Sequence, residues 1–173
     1  MKTRELVLAG ILLALGLTLH TVTPSLFGSV KPDFLLATLF IAILYQPKLS
    51  NTLVIGIVAG IMAALTTGFP GGQLPSILDK IVTALFVLIY IKGMKFSLNV
   101  IKIALLGFLG TLLSGVVFLG SASVLVGLPV SFSSLFILIV LPTALVNTGL
   151  TVILYQTAQI IMKNDRLKKV SLT

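Results

Sequence analysis

The sequence predicts a single-domain, all-α membrane protein in which six transmembrane helices form a bundle with both termini in the cytoplasm. Three observations carry this prediction: the composition, the series of apolar segments and the distribution of basic residues. Of the 173 residues, 57% are hydrophobic and 9% are charged, and the mean hydropathy is +1.20. A soluble domain would carry roughly 25% charged residues. The lipid bilayer is therefore the expected environment of the whole chain, residues 1–173.

Six apolar segments follow one another, separated by stretches that contain turn-forming residues. The connections include Thr-Val-Thr-Pro-Ser, Gln-Pro-Lys, Lys-Gly-Met-Lys and Val-Gly-Leu-Pro, which combine proline, glycine and polar residues as loops do. The last two segments are long enough to include interfacial or re-entrant turns. The six segments are Leu6–His20, Pro32–Gln46, Thr52–Thr67, Pro75–Ile91, Val100–Val124 and Phe132–Met162.

Lysine and arginine are unevenly distributed between the two ends of these segments. With both termini inside, only Lys31 and Lys80 fall on the outer side. Cytoplasmic connections of membrane proteins are enriched in basic residues, which gives the predicted orientation. Because these residues do not gather on one face, the net charge of +8 does not indicate a nucleic-acid partner. The inner basic residues are Lys2, Arg4, Lys48, Lys92, Lys95, Lys102, Lys163, Arg166, Lys168 and Lys169.

The second apolar segment, Pro32–Gln46, is short for a membrane span. It covers about 22 Å at ~1.5 Å per residue, whereas the hydrocarbon core of a bilayer is ~30 Å thick. We expect its outer end, and that of the fourth segment, to lie below the outer membrane boundary. Polar loops must then fold inward to cover these ends. The expected result is a cup that opens to the outside.

Residues 64–84, with the sequence ALTTGFPGGQLPSILDKIVTA, interrupt the apolar pattern most strongly. The prolines and glycines between the two apolar segments cannot continue a helix. Irregular backbone near membrane depth is tolerated only inside protein or beside a water-filled cavity, and an ionisable residue there is a candidate for function. This stretch is therefore expected to form one wall of a small-molecule site.

Two outer helix starts each carry an acid close to a base. Lys31 and Asp33 flank a proline before the second helix, and Asp79 and Lys80 open the fourth. A zwitterionic amino acid needs an anion for its ammonium group and a cation or helix N-terminus for its carboxylate. Ordinary structural roles compete with this hypothesis. Asp79 fits a capping box in Ser-Ile-Leu-Asp, which is the favoured interpretation, whereas for Asp33 and Lys80 the two explanations are equally supported.

Aromatic and loop residues near these charges are further candidates. Phe27, Phe34 and Phe69 flank the polar outer segments and can sandwich a flat apolar ligand, or else face lipid or the core. Gly72 permits close approach of the backbone to a ligand, although turn formation is the favoured explanation. Gln73 offers an amide to a ligand or to solvent.

Two polar residues inside apolar segments complete the set. Asn147 lies in the last segment, where an amide is costly unless bonded, so an interhelical hydrogen bond is preferred over ligand binding. His20 ends the first segment and is a poor metal ligand, because the chain has no cysteine and only four acidic residues. No P-loop, zinc-protease motif or nucleophile elbow occurs, so we expect neither ATP binding nor catalysis by this chain.

Small residues recur four positions apart on several helices. Gly10 and Ala14 mark the first helix, and Gly56 and Gly60 mark the third. Such faces let helices approach closely. Most are expected to pack within the bundle, and one can instead dock another membrane subunit.

Residues 29–40, SVKPDFLLATLF, and the stretch 64–84 resemble the bacterial tryptophan transporter family, TrpP. The similarity extends over essentially the whole chain in helix number, loop placement and length. Members of this family are regarded as substrate-binding S components of energy-coupling factor (ECF) transporters. The resemblance therefore implies an S-component-like fold in the bacterial cell membrane, L-tryptophan as substrate, and no cofactor in this chain.

The resemblance also implies partners and roles for the candidate residues. S components dock on a transmembrane scaffold subunit driven by two ATPase subunits, commonly through an Ala-x-x-x-Ala pattern on helix 1. Gly10 and Ala14, with Ala9 beside them, are the nearest match here. The phenylalanines would hold the indole, whose N–H would meet an amide of Gln73 or Asn147. The ammonium would meet Asp33 or Asp79, and the carboxylate Lys31, Lys80 or a helix N-terminus.

Two other functions remain open at this point. A stand-alone proton- or sodium-coupled carrier would need acidic residues in the spans, and only two occur in or near them. A non-transporting membrane scaffold protein would show no saturable ligand binding. An intramembrane enzyme is a more distant alternative because no base and nucleophile pair is evident.

Overall fold

A computed structural model of the chain describes residues 3–25, 30–94 and 99–170. Within these ranges the chain forms the six helices that the apolar segments predict. Helix α6, residues 132–170, is continuous but contains a π-helical turn between two α-helical parts. The helices are α1 Thr3–Val22, α2 Phe34–Tyr45, α3 Leu49–Thr66, α4 Gln73–Gly93, α5 Val100–Leu125 and α6, which comprises Phe132–Leu135, Phe136–Val140 and Leu141–Val170.

Five of these helices are long and apolar enough to cross a membrane, and α2 is the exception. With 12 residues, α2 measures about 18 Å at ~1.5 Å per residue, which confirms that this span is short. The fourth segment, whose outer end was also expected to lie below the membrane boundary, does not form a short helix: α4 has 21 residues and extends beyond the predicted segment at both ends. It begins at Gln73, and Pro75 lies in its first turn, where proline is tolerated because the N–H has no helical acceptor.

Helix α2 is the centre of the bundle. Nine of its 12 residues are buried, so it has no polar face and the other helices surround it. Among its large side chains, Leu35, Leu39, Phe40 and Ile43 are each at most 1% exposed. The short central helix thus leaves space above its N-terminal end, within the ring of longer helices.

Glycines allow the close helix contacts around this centre. A Cβ on Gly56 would lie 2.9 Å from the Cβ of Ala84, and one on Gly60 would lie 3.0 Å from the Cα of Ile77. The small-residue face of α3 therefore packs against α4, as predicted. Helix α1 approaches α2 through Gly16 instead, where an added Cβ would overlap Thr38.

The π-helical turn in α6 has a local cause. Pro142 lacks an N–H group, and in a regular helix its ring would clash with the carbonyl four residues earlier. The N–H of Leu141 donates to the carbonyl of Phe136, five residues back, so one wider turn precedes the proline. This turn brings Ile139 and Val140 to the same end of the bundle as the start of α2.

Candidate functional site

A cavity of about 510 Å³ opens above the N-terminal end of α2. Its wall combines the end of α1, the residues before α2, the end of α3 with the loop after it, the first turns of α4, the middle of α5 and the start of α6. Both described chain ends, Thr3 and Val170, belong to the opposite end of the bundle. A cavity therefore lies at the end of the bundle where the cup was predicted, and its lining divides into a polar part and an apolar part. That this end faces the outside stays a prediction.

Asp33 lies at the junction of the short central helix and the cavity. It is the N-cap of α2, and its Oδ1 accepts the Leu36 N–H at 2.9 Å. Its Oδ2 accepts a hydrogen bond from Lys80 Nζ at 3.2 Å, and the side chain stays 21% exposed. The capping interpretation is thus confirmed. Because the carboxylate also lines the cavity, the ligand-binding interpretation stays a prediction.

Lys80 and Asp79 form a buried pair on α4. Lys80 Nζ lies 2.6 Å from Asp79 Oδ2, and the two side chains are only 6% and 3% exposed. Asp79 Oδ1 accepts from Thr83 Oγ1 at 3.1 Å. The capping-box interpretation of Asp79 is wrong, because α4 begins six residues earlier and the carboxylate bonds to side chains.

The lysine therefore bridges two carboxylates from two helices. Lys80 joins Asp79 on its own helix to Asp33 at the start of α2. The charges of Lys80, Asp79 and Asp33 sum to one negative charge; Lys80 and Asp79 are buried, whereas Asp33 is half-buried. Removal of charges from water is costly unless they are paired and hydrogen-bonded, and this arrangement satisfies that need.

His20 and Lys31 complete the polar part of the wall. His20 Nδ1 lies 3.6 Å from Asp33 Oδ1, at the end of α1. Lys31 is half-buried, and no ion pair joins it to another residue within the described ranges. From the sequence, His20 was a candidate only as a metal ligand. Its position at the end of the first apolar segment, on the same side of the bundle as Lys31 and Asp33, could have indicated that it lies near these charges.

The apolar part of the cavity centres on Phe69. Its ring meets that of Phe118 on α5 edge to face, with centroids 5.5 Å apart and planes at 87°. The loop that carries Phe69 is tight: Gly71 has φ +71°, and the Gly72 N–H donates to the Phe69 carbonyl at 2.9 Å. The remaining apolar lining is Leu35, Leu36, Ala63, Leu119, Leu135, Ile139 and Val140.

Several predicted residues lie elsewhere. Gly72 is the buried N-cap of α4, Gln73 is exposed in its first turn, and Phe34 is half-buried beside Asp33; none of the three lines the cavity. Phe27 lies outside the described residues. The polar groups that do line the cavity and were not predicted are mainly hydroxyls, namely those of Thr66, Thr67, Ser76, Thr111, Ser114 and Thr143.

Asn147 supports the site from beneath. It is fully buried on α6, its Oδ1 accepts the Asp33 N–H at 2.9 Å, and its Nδ2 donates to Thr111 Oγ1 at 3.3 Å. The preferred interpretation of an interhelical bond is confirmed. Because the bond ends on the backbone of the N-cap residue, Asn147 fixes where the Asp33 carboxylate stands relative to the cavity.

The residues expected to dock a partner lie on two sides of α1. Gly10 and Ala14 are exposed, and an added Cβ on Gly10 would meet nothing within 4 Å. Ala9 is 8% exposed and packs in the core, so it is not part of an outward face. The outward surface thus contains only two of the three predicted positions.

A second polar cluster joins three helices at the other end of the bundle. Lys48 Nζ lies 3.2 Å from Glu5 Oε1, which links the start of α3 to α1. Asn51 is 1% exposed, and its Nδ2 donates to Glu5 Oε2 at 3.3 Å and contacts the Gln46 side chain. None of these residues lines the cavity. We call these four residues the far-end cluster.

Comparison with known proteins identifies the family. The model of the tryptophan transporter TrpP family matches residues 2–163. The chain belongs to the TrpP family. It is 46% identical over 166 residues to the probable tryptophan transport protein of Bacillus subtilis (strain 168), across 95% of this chain and 96% of that protein. The predicted family is thus confirmed.

Two clostridial proteins are similar to a comparable degree. The probable tryptophan transport protein of Clostridium acetobutylicum is 43% identical over 156 residues, or 90% of this chain and 91% of that protein. That of Clostridium perfringens (strain 13 / Type A) is 42% identical over 168 residues, or 91% and 92%. No solved structure matches the chain.

Membership in TrpP settles two broader predictions. The family and these relatives are transport proteins, which agrees with the expectation that the chain is not an enzyme. Together with five helices that are long and apolar enough to cross a membrane, it confirms a multi-pass bacterial membrane protein. Among the described residues, no group of three or more metal-ligating side chains could hold a metal ion.

Proposed function

We propose that the protein binds L-tryptophan in the cavity above α2 and is the substrate-binding component of an uptake system. The observation that carries this proposal is the division of one cavity into a charged part around Asp33 and an aromatic part around Phe69. Small-molecule sites are commonly clefts of ~300–1,000 Å³ with apolar walls and a few convergent polar groups. At about 510 Å³, this cavity has the expected size.

The charges of the cavity suit a zwitterion. Its wall contains two acids, Asp33 and Asp79, and two lysines, Lys31 and Lys80, so the formal charges balance when His20 is neutral. A ligand with balanced charges of its own leaves the buried site neutral. A purely anionic or cationic ligand would leave an unpaired charge in a region of low dielectric, which is costly.

The exposed fractions favour particular partners for the two ends of the ligand. Asp79 is 3% exposed and already bonded by Lys80 and Thr83, whereas Asp33 is 21% exposed. We therefore assign the ammonium group to Asp33. Lys80 is held between both acids, so the half-buried Lys31 is the better partner for the carboxylate.

The apolar part of the cavity would hold the indole ring. Phe69 and Phe118 already meet edge to face, and a third aromatic ring can extend this arrangement. Gln73 and Asn147 do not line the cavity, so the indole N–H would donate to a hydroxyl such as that of Thr143. The size, charges and aromatic lining of the cavity suit any large aromatic amino acid. Its relatives in Bacillus and Clostridium are named probable tryptophan transport proteins, which supports tryptophan.

The source of energy is the second part of the proposal. We propose that the protein works as an S component, docked through the exposed Gly10 and Ala14 on α1 to a scaffold subunit with two ATPase subunits. ATP would then act only in those partners. The close approach that small residues permit between membrane helices supports this surface.

Titration calorimetry on the purified protein tests the substrate. We expect saturable binding of L-tryptophan and much weaker binding of phenylalanine, tyrosine and leucine. Equal affinity for another amino acid would refute the specificity, and the absence of any saturable binding would favour a scaffold protein instead.

Uptake assays test the energy source. We expect cells that contain this chain to take up labelled tryptophan only when the scaffold and ATPase subunits are also present. Uptake that persists without those subunits and collapses with an uncoupler would instead identify a stand-alone ion-coupled carrier.

A further inference from the structure

His20 has an unused hydrogen-bonding atom at the edge of the cavity. It is the only histidine in the chain, and its side chain is 23% exposed in the cavity wall. Its Nδ1 is shielded from solvent and has no hydrogen-bond partner among the residues that the structure describes. Most buried polar side-chain atoms have a partner, so an unpaired ring nitrogen beside a cavity points to an atom supplied by a ligand.

The nearest charged atom to this nitrogen does not satisfy it. His20 Nδ1 and Asp33 Oδ1 are 3.6 Å apart, which exceeds a hydrogen bond. Asp33 already accepts from the Leu36 N–H and from Lys80 Nζ. When Nδ1 carries its lone pair, two acceptors face one another across this distance with no donor to join them. A group with several N–H bonds can donate to both.

We propose that His20, in its neutral form, completes with Asp33 the subsite for the primary ammonium group of the ligand. This inference rests on the proposed function and assigns to α1 a part in recognition. The ammonium would donate one N–H to the carboxylate of Asp33 and another to Nδ1 of His20. Lys80 does not supply the donor for His20 Nδ1, because its ammonium group is held by Asp33 and Asp79.

Three ligands distinguish the contribution of the ammonium group of tryptophan from that of its carboxylate. L-Tryptophan has both charges, tryptamine lacks the carboxylate, and indole-3-propionate lacks the ammonium group. The chain contains no tryptophan, so indole fluorescence excited beyond the tyrosine band reports the ligand alone. Each ligand is titrated with the purified protein and with three variants: His20→Leu, His20→Asn and the control Thr21→Ala, an exposed position on the same helix.

We expect the His20→Leu variant to lose affinity only for the ligands that have an ammonium group. His20→Leu should weaken L-tryptophan and tryptamine at least ~10-fold, the range for a hydrogen bond to a charged group, and leave indole-3-propionate unchanged. His20→Asn keeps an acceptor near the position of Nδ1 and should retain most of the affinity. Thr21→Ala should match the unmodified protein with all three ligands.

A pH series gives a second measurement that a merely structural role would not change. The charged groups that act on His20 are Asp33, Lys31 and Lys80. Protonation of His20 would remove its acceptor and place another cation beside the ammonium. Tryptophan affinity should therefore fall on acidification through the histidine range, and His20→Asn should flatten that dependence.

Other outcomes overturn the assignment. A loss confined to tryptophan and indole-3-propionate would place His20 at the carboxylate. An equal loss with all three ligands would make His20 structural, and unchanged affinities would remove it from the site. These results differ from a failure of the proposed function, in which the unmodified protein binds no indole ligand at all.

Discussion

Two polar clusters lie at opposite ends of the same bundle, and only one of them borders a cavity. The far-end cluster joins Glu5, Lys48 and Asn51 through contacts of 3.2 and 3.3 Å. The cavity cluster, which consists of Asp33, Asp79 and Lys80, likewise joins Asp33 to Lys80 over 3.2 Å. Both connect helices that are distant in sequence. Pairing of charges alone therefore does not distinguish a structural cluster from a binding site.

The difference lies in what surrounds the paired charges. Exposure alone does not separate the two clusters, because the Glu5 and Asp33 side chains are 15% and 21% exposed. The cavity cluster differs in having more carboxylates than lysines in contact and about 510 Å³ of space beside it. None of the far-end residues lines that space. In a membrane protein, where any buried charge needs a partner, an accessible charge beside a cavity is the informative feature. The following predictions test this contrast.

Lys80→Met should have the largest effect, because it leaves Asp33 and Asp79 buried without their shared cation. Loss of one partner of a buried ion pair typically costs about 3–5 kcal/mol. We expect a clear fall in the apparent melting temperature, measured by size-exclusion chromatography after heating, and loss of tryptophan binding. The double variant with Asp79→Asn should recover part of the stability. No recovery would mean that the buried pair is not the cause.

Asp33→Asn should abolish most tryptophan binding while the fold is retained. Asparagine caps helices as well as aspartate does, so α2 keeps its N-cap and loses only the charge. Removal of one partner of a buried charge pair costs about 2–5 kcal/mol in binding. The matched control is Glu5→Gln in the far-end cluster, for which calorimetry should return an unchanged affinity. Equal losses of tryptophan affinity in both variants would show that the two clusters do not differ in their role in binding.

Asn147→Leu and Asn51→Leu form a second matched pair, since both amides are buried, at 0% and 1% exposure. Each leaves polar partners without a hydrogen bond, which costs about 1–3 kcal/mol, and both should lower thermal stability. Only Asn147→Leu should also weaken tryptophan binding, because Asn147 holds the N–H of Asp33. If Asn51→Leu weakened tryptophan binding as much as Asn147→Leu does, the loss of affinity would result from general destabilisation and not from the position of Asp33.

Phe69→Leu should have the smallest effect and should act on the aromatic part of the ligand. An aromatic pair contributes about 0.5–1.5 kcal/mol beyond its buried area, which corresponds to roughly 2–10-fold in affinity. Phe136→Leu is the control, because Phe136 stacks on Phe132 and does not line the cavity. A tryptophan affinity that is unchanged in Phe69→Leu would exclude this ring from the indole site.

The helices and the short second span could be predicted from the sequence, because apolar length and turn residues are local properties. The start of α4 could not, since Pro75 was taken as the boundary although a first helical turn tolerates proline. That displacement made the Ser-Ile-Leu-Asp run look like a capping box. The acid and base residues at the cavity were found because charges near membrane depth are rare.

The rest of the cavity wall depends on tertiary contacts that have no local signal. Phe118, Thr111 and Thr143 come from the middle of long apolar helices, and they look like ordinary helix residues until the helices are packed. Gln73 and Phe34 are close in sequence to cavity residues, but the helical turn directs them elsewhere. The position of His20 beside Asp33 was not predicted, because His20 was considered only as a metal ligand.

An experimental structure of the protein with L-tryptophan bound would show directly where the ligand lies. We predict ligand density in the cavity above α2, with the ammonium group within hydrogen-bonding distance of Asp33 and the indole ring against Phe69. Tryptophan bound at any other place, or with its ammonium group away from Asp33, would contradict the central claim.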